Sequence, residues 1–483
     1  MFYTEMKRPG RLYAERFIRP HLAAVDERLT DPRVNCLSQA RIAARALDQA
    51  DDDTLTLCSL LEKIRVVSAM EKEGWFDKFF SLVTELDLVP KLIKYLTHPD
   101  PWVRNEAAWI HSNIGAGSAV GCDVLEKHDI MTKIIDCLRS TPEEETKLSC
   151  IWAVANFAGD SDKRRQAILN STFPTVFVSM LREQGDKFSK KTINNCCWTI
   201  RNLFRKGELG TLPKELKLPL VKFALQHLAT GDDEARTGLL IYLDGIVTKD
   251  IKMLSYTAST MDYSILPQLF DANKKSVFTS AIRLVGSLGT GIDQDVEPLV
   301  VHNVIEELLR LAAIPAMDKT QLKEIFWALS NIAAGPQRHK QRMIECGTVK
   351  TMKSLLDKCA NDDIAREAAY VIANLVDSAS QGQIKQVVLD GGMILLETML
   401  ASNEARTLVV VLEGLRVIFK ACEGEKLEFE RQGHLDRLEQ LQLHANQHVY
   451  AAAISLLEEC FSADEGSEAE EANANKQADV SSK

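Results

Sequence analysis

Four tryptophans in this chain are each followed, four residues later, by an asparagine: Trp109 and Asn113, Trp152 and Asn156, Trp198 and Asn202, Trp327 and Asn331. Tyr370 and Asn374 form a variant of the same pair. Residues four apart on a helix share a face, one turn above the other. Asparagine is a poor helix former because its amide competes for the backbone, so helix propensity does not account for the pair. The spacing constrains the fold further. Trp109 to Trp152 is 43 residues and Trp152 to Trp198 is 46. Steps of 42 to 44 then land on Ile241, Arg283, Trp327, Tyr370 and Glu413, and a backward step of 43 from Trp109 lands on Val66. With a closing unit near Phe461 this makes about ten units at the period of armadillo or HEAT repeats.

Each unit has the same inner grammar. A glycine-bearing turn opens it, as in the stretches starting at Glu345 and Leu389. A short apolar helix follows, then a polar break such as LTHPDPW or DKCANDD, and then a longer helix carrying the aromatic–Asn pair. Gly117, Gly159, Gly207, Gly291 and Gly335 close the longer helices, and the expectation is that they act as C-caps, with Pro336 reinforcing one stop. No run alternates apolar and polar residues as a half-buried strand would. The expected fold is all-α, an armadillo-type right-handed superhelical solenoid in which each unit packs on its neighbours. Residues 51–461 form the array. Residues 1–50 are a weakly basic N-terminal segment, and 462–483 an acidic tail, small-residue rich and expected to be disordered.

Composition narrows the partners. The formal net charge of -10 disfavours direct nucleic-acid binding and favours basic partners. No apolar run is long enough to span a membrane, and the N-terminus has no signal-peptide core. The 11 cysteines are scattered without a Cys-x-x-Cys, as expected of reduced thiols in a cytosolic or nuclear protein. His444 and His448 share a helix face, but Ala445 stands where the zinc-protease motif needs glutamate. The glycines of GSLGTG at Gly286 follow no strand. Neither a catalytic constellation nor a cofactor or metal site is expected.

The equivalent residues of stacked third helices form rows along the concave face. A row of indoles offers flat, electron-rich walls between which a lysine or arginine stem can lie. A row of amides offers donors and acceptors for a peptide backbone. Such a face suits an extended basic peptide. The competing reading is structural: tryptophan belongs to the core, and the asparagine row is an internal hydrogen-bond ladder. Repetition in register within an acidic chain favours the groove.

The segments EAAWIHSNIGAGS, CIWAVANFAGDS, NNCCWTIRNLF, EIFWALSNIAAG and REAAYVIANL resemble the armadillo repeats of importin α, the adaptor that binds nuclear localisation signals. SAIRLVGSLGTG resembles that family's sixth repeat, and the stretches from Val410 and Gly433 its ninth and tenth. The resemblance runs from about residue 55 to 461. It implies a nuclear import adaptor of cytoplasm and nucleus, with basic signal-bearing cargo as partner. By matched position it implies a major peptide site of Trp109, Asn113, Ser118, Trp152, Asn156, Asp160, Asn195, Trp198 and Asn202. In that site Asp160 would receive the key lysine. A minor site would consist of Arg283, Thr290, Glu324, Trp327, Asn331, Glu367, Tyr370 and Asn374.

The chain departs from the family pattern in places. Ile241 and Gly245 replace the pair in the fifth unit, Ser287 stands at an Asn place in the sixth, and Tyr370 gives a smaller stacking face. A long bipartite signal is therefore expected to bind less tightly than a short one. The family begins with a basic segment that binds importin β and folds back into the groove. Here the basic residues are dispersed and interrupted by Glu5, Glu15, Asp26, Glu27 and Asp31. Lys7-Arg8-Pro9-Gly10-Arg11 is the nearest mimic of a signal, and an ordinary helix on the end of the array is the competing reading. Importin β binding and self-inhibition are expected to be weakened, altered or absent. The acidic tail is a solvated tail or part of the site for the family's export receptor. An importin-α-like scaffold that holds a fixed basic partner without transport is the alternative function.

Overall fold

The structure is a computed structural model that describes residues 36–50, 53–69, 75–204, 212–315, 317–358 and 361–461. Among the described residues the secondary structure is helical, with no strand, as the repeat period requires. None of these helices is long and apolar enough to cross a membrane. The Lys7–Arg11 stretch, Gly207 and residues 462–483 lie outside the described residues.

The long helices that carry the marked positions are α1 (Thr54–Ser68), α2 (Pro101–Gly117), α3 (Glu144–Asp160), α4 (Lys190–Phe204) and α5 (Asp233–Val247). They are followed by α6 (Lys275–Leu288), α7 (Lys319–Ala333), α8 (Asp362–Val376), α9 (Ala405–Ala421) and α10 (Gln447–Cys460). The chain divides into two compact units, one ending at Met253 and the other starting at Leu254. Within the first, α1 to α5 pack each on the next; within the second, α6 to α10 do the same. The polar breaks of the sequence pattern are helix starts. Asp100 accepts from the Trp102 and Val103 amides at 2.9 and 3.2 Å, with Pro101 as first helical residue. Asn361 accepts from the Ile364 amide at 3.1 Å. Each cap satisfies donors that a helix start would otherwise leave orphaned.

The helix-ending glycines are not left-handed caps. Among the described residues, positive φ in glycine occurs at Gly347, Gly391 and Gly433, and not at Gly159, Gly291 or Gly335. These left-handed glycines instead precede the second helix of a unit, and Asp87, Asp129 and Asn303 take the same place in other units. Asp and Asn are the side chains that tolerate this conformation best after glycine, so one turn is written with three residue types. Gly335 is required by space: a Cβ there would lie 2.7 Å from His339 Nδ1. The 46-residue step accommodates a 3-10 turn, Gly185–Lys187, before α4.

Before α1 lies a further helix, Cys36–Ala46. It buries Ala40, Ala43 and Ala44 and packs on α1. Arg41 pairs with Glu85 at 2.6 Å and Asp48 with Lys91 at 2.6 Å, tying this end of the N-terminal segment to the first unit.

Candidate functional site

The marked residues form two ladders, one in each unit. In the first, Asn113 Nδ2 donates to Ser68 Oγ at 2.8 Å. Asn156 Nδ2 donates to the Ser112 carbonyl at 3.2 Å and hydroxyl at 3.1 Å, and Asn202 Nδ2 donates to the Ala155 carbonyl at 3.1 Å. In the second, Asn331 Nδ2 donates to the Gly286 carbonyl at 2.9 Å and Asn374 Nδ2 to the Ser330 carbonyl at 2.8 Å. In each case the acceptor belongs to the preceding long helix. From Asn156 onward it is the residue just before the preceding marked asparagine position. A helical carbonyl has a second lone pair, so it accepts this bond without losing its own. The four carbonyl acceptors also fix the orientation of the amides they meet, because a carbonyl oxygen can only receive Nδ2. Among the described residues, the five Oδ1 atoms accept nothing from the protein.

The indoles do not stand as separate parallel walls. Trp109 and Trp152 have ring centroids 6.3 Å apart at 40°. Trp152 and Trp198 close on Ala155 and are only 5% and 7% exposed, with Trp109 packed against them. Burial of large aromatic area is the reason the rings close on one another. In the second unit Trp327 lies directly on α6: a Cβ on Gly286 would come within 2.3 Å of Trp327 Cζ3. Tyr370 has a polar tether, its hydroxyl 3.1 Å from Thr407 Oγ1, which in turn donates to Glu404 at 2.9 Å.

Each ladder begins with the same arginine–glutamate pair. Arg65 Nε meets Glu106 Oε2 at 2.6 Å in the first unit, and Arg283 Nη2 meets Glu324 Oε1 at 2.6 Å in the second. Both glutamates stand three residues before a ladder tryptophan, and both arginines come from the preceding long helix. Sequence reasoning named Glu324 and Glu367 but missed Glu106, although its spacing from Trp109 is the same. It also missed Arg65, whose guanidinium carbon lies 4.7 Å from the Trp109 ring centre, and Lys191, whose Nζ lies 6.0 Å from it. For Arg65, a cation one repeat behind an aromatic was the available signal.

The acids differ in state. Asp160 is bound by Arg164, one turn on, and Arg164 also holds Asp123 and Glu126. Asp160 is therefore already compensated. Glu367 is only 7% exposed, and its burial pushes its carboxyl above the usual range against the opposing pull of Lys323 and Arg366. Glu106 is raised by burial too, opposed by Arg65. Three predicted contacts are engaged elsewhere. Ser118 accepts from the Gly121 amide at 3.2 Å as a helix cap. Thr290 donates to the Ser287 carbonyl at 2.7 Å. Asn195 is buried, donates to the Lys191 carbonyl at 2.9 Å, and has a buried Oδ1.

His444 Nδ1 accepts from the Asn446 amide at 3.0 Å, a turn contact rather than half of a histidine pair. Among the described residues no three or more His, Cys, Asp or Glu side chains are placed so that they could hold a metal ion together.

Comparison with known proteins agrees with the repeat fold. Residues 427–476 match the model of an atypical armadillo repeat. The chain is 28% identical to importin subunit alpha-1b of Oryza sativa subsp. japonica, over 85% of this chain and 77% of that protein. It is 28% identical to importin subunit alpha-1a of the same plant, over 85% and 78%. It is 26% identical to importin subunit alpha-5 of Arabidopsis thaliana, also over 85% and 78%. In fold it is similar to the crystal structure of an engineered protein, with a TM-score of 0.68 at 20% identity, across 88% of this chain and 99% of that one. Over most of its length the chain is thus similar to importin α subunits, at 26–28% identity.

Proposed function

We propose that the chain carries cargo by holding Lys/Arg-rich nuclear localisation signals in extended form along its two asparagine ladders, and that it works in cytoplasm and nucleus. One observation carries this reading. Each of the five asparagines is pinned through Nδ2 to the preceding helix and keeps Oδ1 as an acceptor. Pinned acceptors in register suit the amides of an extended chain, since their ordering cost is met before the peptide arrives. The two readings of the asparagine row are thus compatible: the donor holds the solenoid and the acceptor remains for a ligand. Glu324 and Glu367 add negative charge in the second unit.

The test is fluorescence anisotropy with a labelled Lys-rich signal peptide on the full chain, compared with Trp152→Ala, Asn156→Ala and Asp160→Ala. Loss of affinity in these variants is expected. Unchanged binding in all three overturns the assignment.

A second reading, a scaffold holding a fixed basic partner without transport, is favoured by the N-terminal end. There Arg41 is committed to Glu85 and the Cys36–Ala46 helix is packed on α1. Capture of importin β by the full chain decides for the adaptor, and failure to capture it decides for the scaffold. Binding of the export receptor at the C-terminal repeats and tail belongs to the adaptor reading and fails with it.

A further inference from the structure

An indole selects a basic side chain through an open ring face, on which the charge comes within about 6 Å of the ring centre. In the first ladder the rings are engaged within the protein. Arg65, buried and fixed by Glu106, lies 4.7 Å from the ring centre of Trp109. Trp152 and Trp198 close on Ala155 with only 5% and 7% of their surface exposed, and Trp109 packs against this cluster. The acid of the unit is engaged too, because Arg164 holds Asp160. What remains is the row of amides. Asn113, Asn156 and Asn202 each donate through Nδ2 to the preceding long helix. Their Oδ1 atoms accept nothing from the protein, and none of the three is sealed from solvent. Asn156 is half-buried, the most open of the three. Every peptide residue except proline carries a main-chain N–H. Acceptors in register therefore read an extended chain without reading its side chains.

We propose that the first ladder takes its peptide by the main chain and does not select basic side chains. The inference rests on the peptide-binding reading above and deepens it. The ligand of this unit is an extended segment, basic or neutral, without proline at the positions that face the amides. Selection for charge falls to the second unit. There Trp327 and Tyr370 are half-buried, and Glu324 and Glu367 each stand three residues before a ring.

The experiment uses the full chain in fluorescence anisotropy, with a labelled Lys-rich peptide and a counterpart in which every lysine is glutamine. Salt at about 0.5 M screens the general attraction of an acidic chain for a basic peptide. Asn331→Ala combined with Asn374→Ala takes two rungs from the second ladder, so the comparison falls on the first. In that variant the two peptides are expected to bind within about three-fold of each other, the remainder of a screened charge. Affinity for the glutamine peptide is expected to weaken roughly two- to ten-fold in Asn156→Ala, the worth of one hydrogen bond. The wild type should show at least that loss with a glutamine peptide N-methylated at every second residue, because methylation removes the main-chain donor. This last readout needs no altered protein. A larger preference for lysine in the double variant, with Lys-rich binding still weakened by Asn156→Ala, overturns the proposal and leaves the peptide site standing. Full affinity of the N-methylated peptide overturns it as well, and so does full affinity of the glutamine peptide for Asn156→Ala. Failure of both peptides to bind the wild type overturns both readings.

Discussion

Asn156 ties α3 to α2 through two contacts on one residue, the Ser112 carbonyl at 3.2 Å and the Ser112 hydroxyl at 3.1 Å. Its replacement is therefore a stability mutation as well as a binding one. Asn156→Ala should lower stability by about 1 kcal/mol, the net worth of a typical buried hydrogen bond. Ser112→Ala should cost less, because the carbonyl contact survives. Thermal unfolding of both variants beside the wild type checks this. Equal losses would show that the hydroxyl, and not the carbonyl, holds the amide.

Arg164 compensates Asp160, Asp123 and Glu126 together, and its side chain is largely buried. Removing it should act in opposite directions on two measurements. Arg164→Gln should reduce stability by roughly 1–3 kcal/mol, a discounted value because the carboxylates are partly exposed. It should also free Asp160, and affinity for a Lys-rich peptide should rise several-fold. Calorimetry and anisotropy on one preparation separate the two effects. A variant that loses affinity would mean that Asp160 needs Arg164 to hold its position.

Much of this was legible in the chain before any coordinates. The 42-to-46-residue register fixes the third helices because a repeated unit must bury its apolar face against copies of itself. The ladder positions follow from that register. Arg164 was missed, although Asp160 and Arg164 are four apart across a helix junction. What could not be read was the direction of each amide. A pattern of asparagines states that a row exists but not which atom of each faces a neighbour. The closing of Trp152 and Trp198 on Ala155 was also out of reach, because it depends on side-chain packing across three repeats. The left-handed turns were half legible. Gly391 announces itself, whereas Asp129 and Asn303 do the same work as ordinary-looking polar residues.

Gly286 marks where the Trp327 ring lies flat on α6. Gly286→Ala should place a methyl within 2.3 Å of Cζ3 and force the indole outward. Overpacking of this kind costs about 1–3 kcal/mol. Thermal unfolding measures the loss, and the fluorescence maximum of the variant should move to longer wavelength as the ring gains water.

Asn303 holds φ at 56°, in the left-handed region. Asn303→Gly should be close to neutral, because glycine takes this conformation without strain. Asn303→Val should cost about 1–2 kcal/mol, since a β-branched side chain there meets the following carbonyl oxygen. Denaturant unfolding of the pair checks it, and equal stability would show that the turn rearranges at little cost.

Glu367 should make the second ladder sensitive to pH. Its burial raises the carboxyl above the ordinary value of 4.5, so the folded state holds this proton more tightly than the unfolded one. The stability it contributes is complete below the unfolded value and is lost as pH rises through the folded one. Glu367→Gln should therefore flatten the stability profile in the window above 4.5 and leave the variant more stable than the wild type at neutral pH. Peptide binding should show the opposite slope. A lysine at this place prefers the ionised carboxylate, so affinity at the second ladder should strengthen with rising pH and binding should release a proton. Calorimetric titration in two buffers of different ionisation enthalpy measures that release. A binding enthalpy independent of the buffer, with the same pH slope in Glu367→Gln, would remove Glu367 from the site.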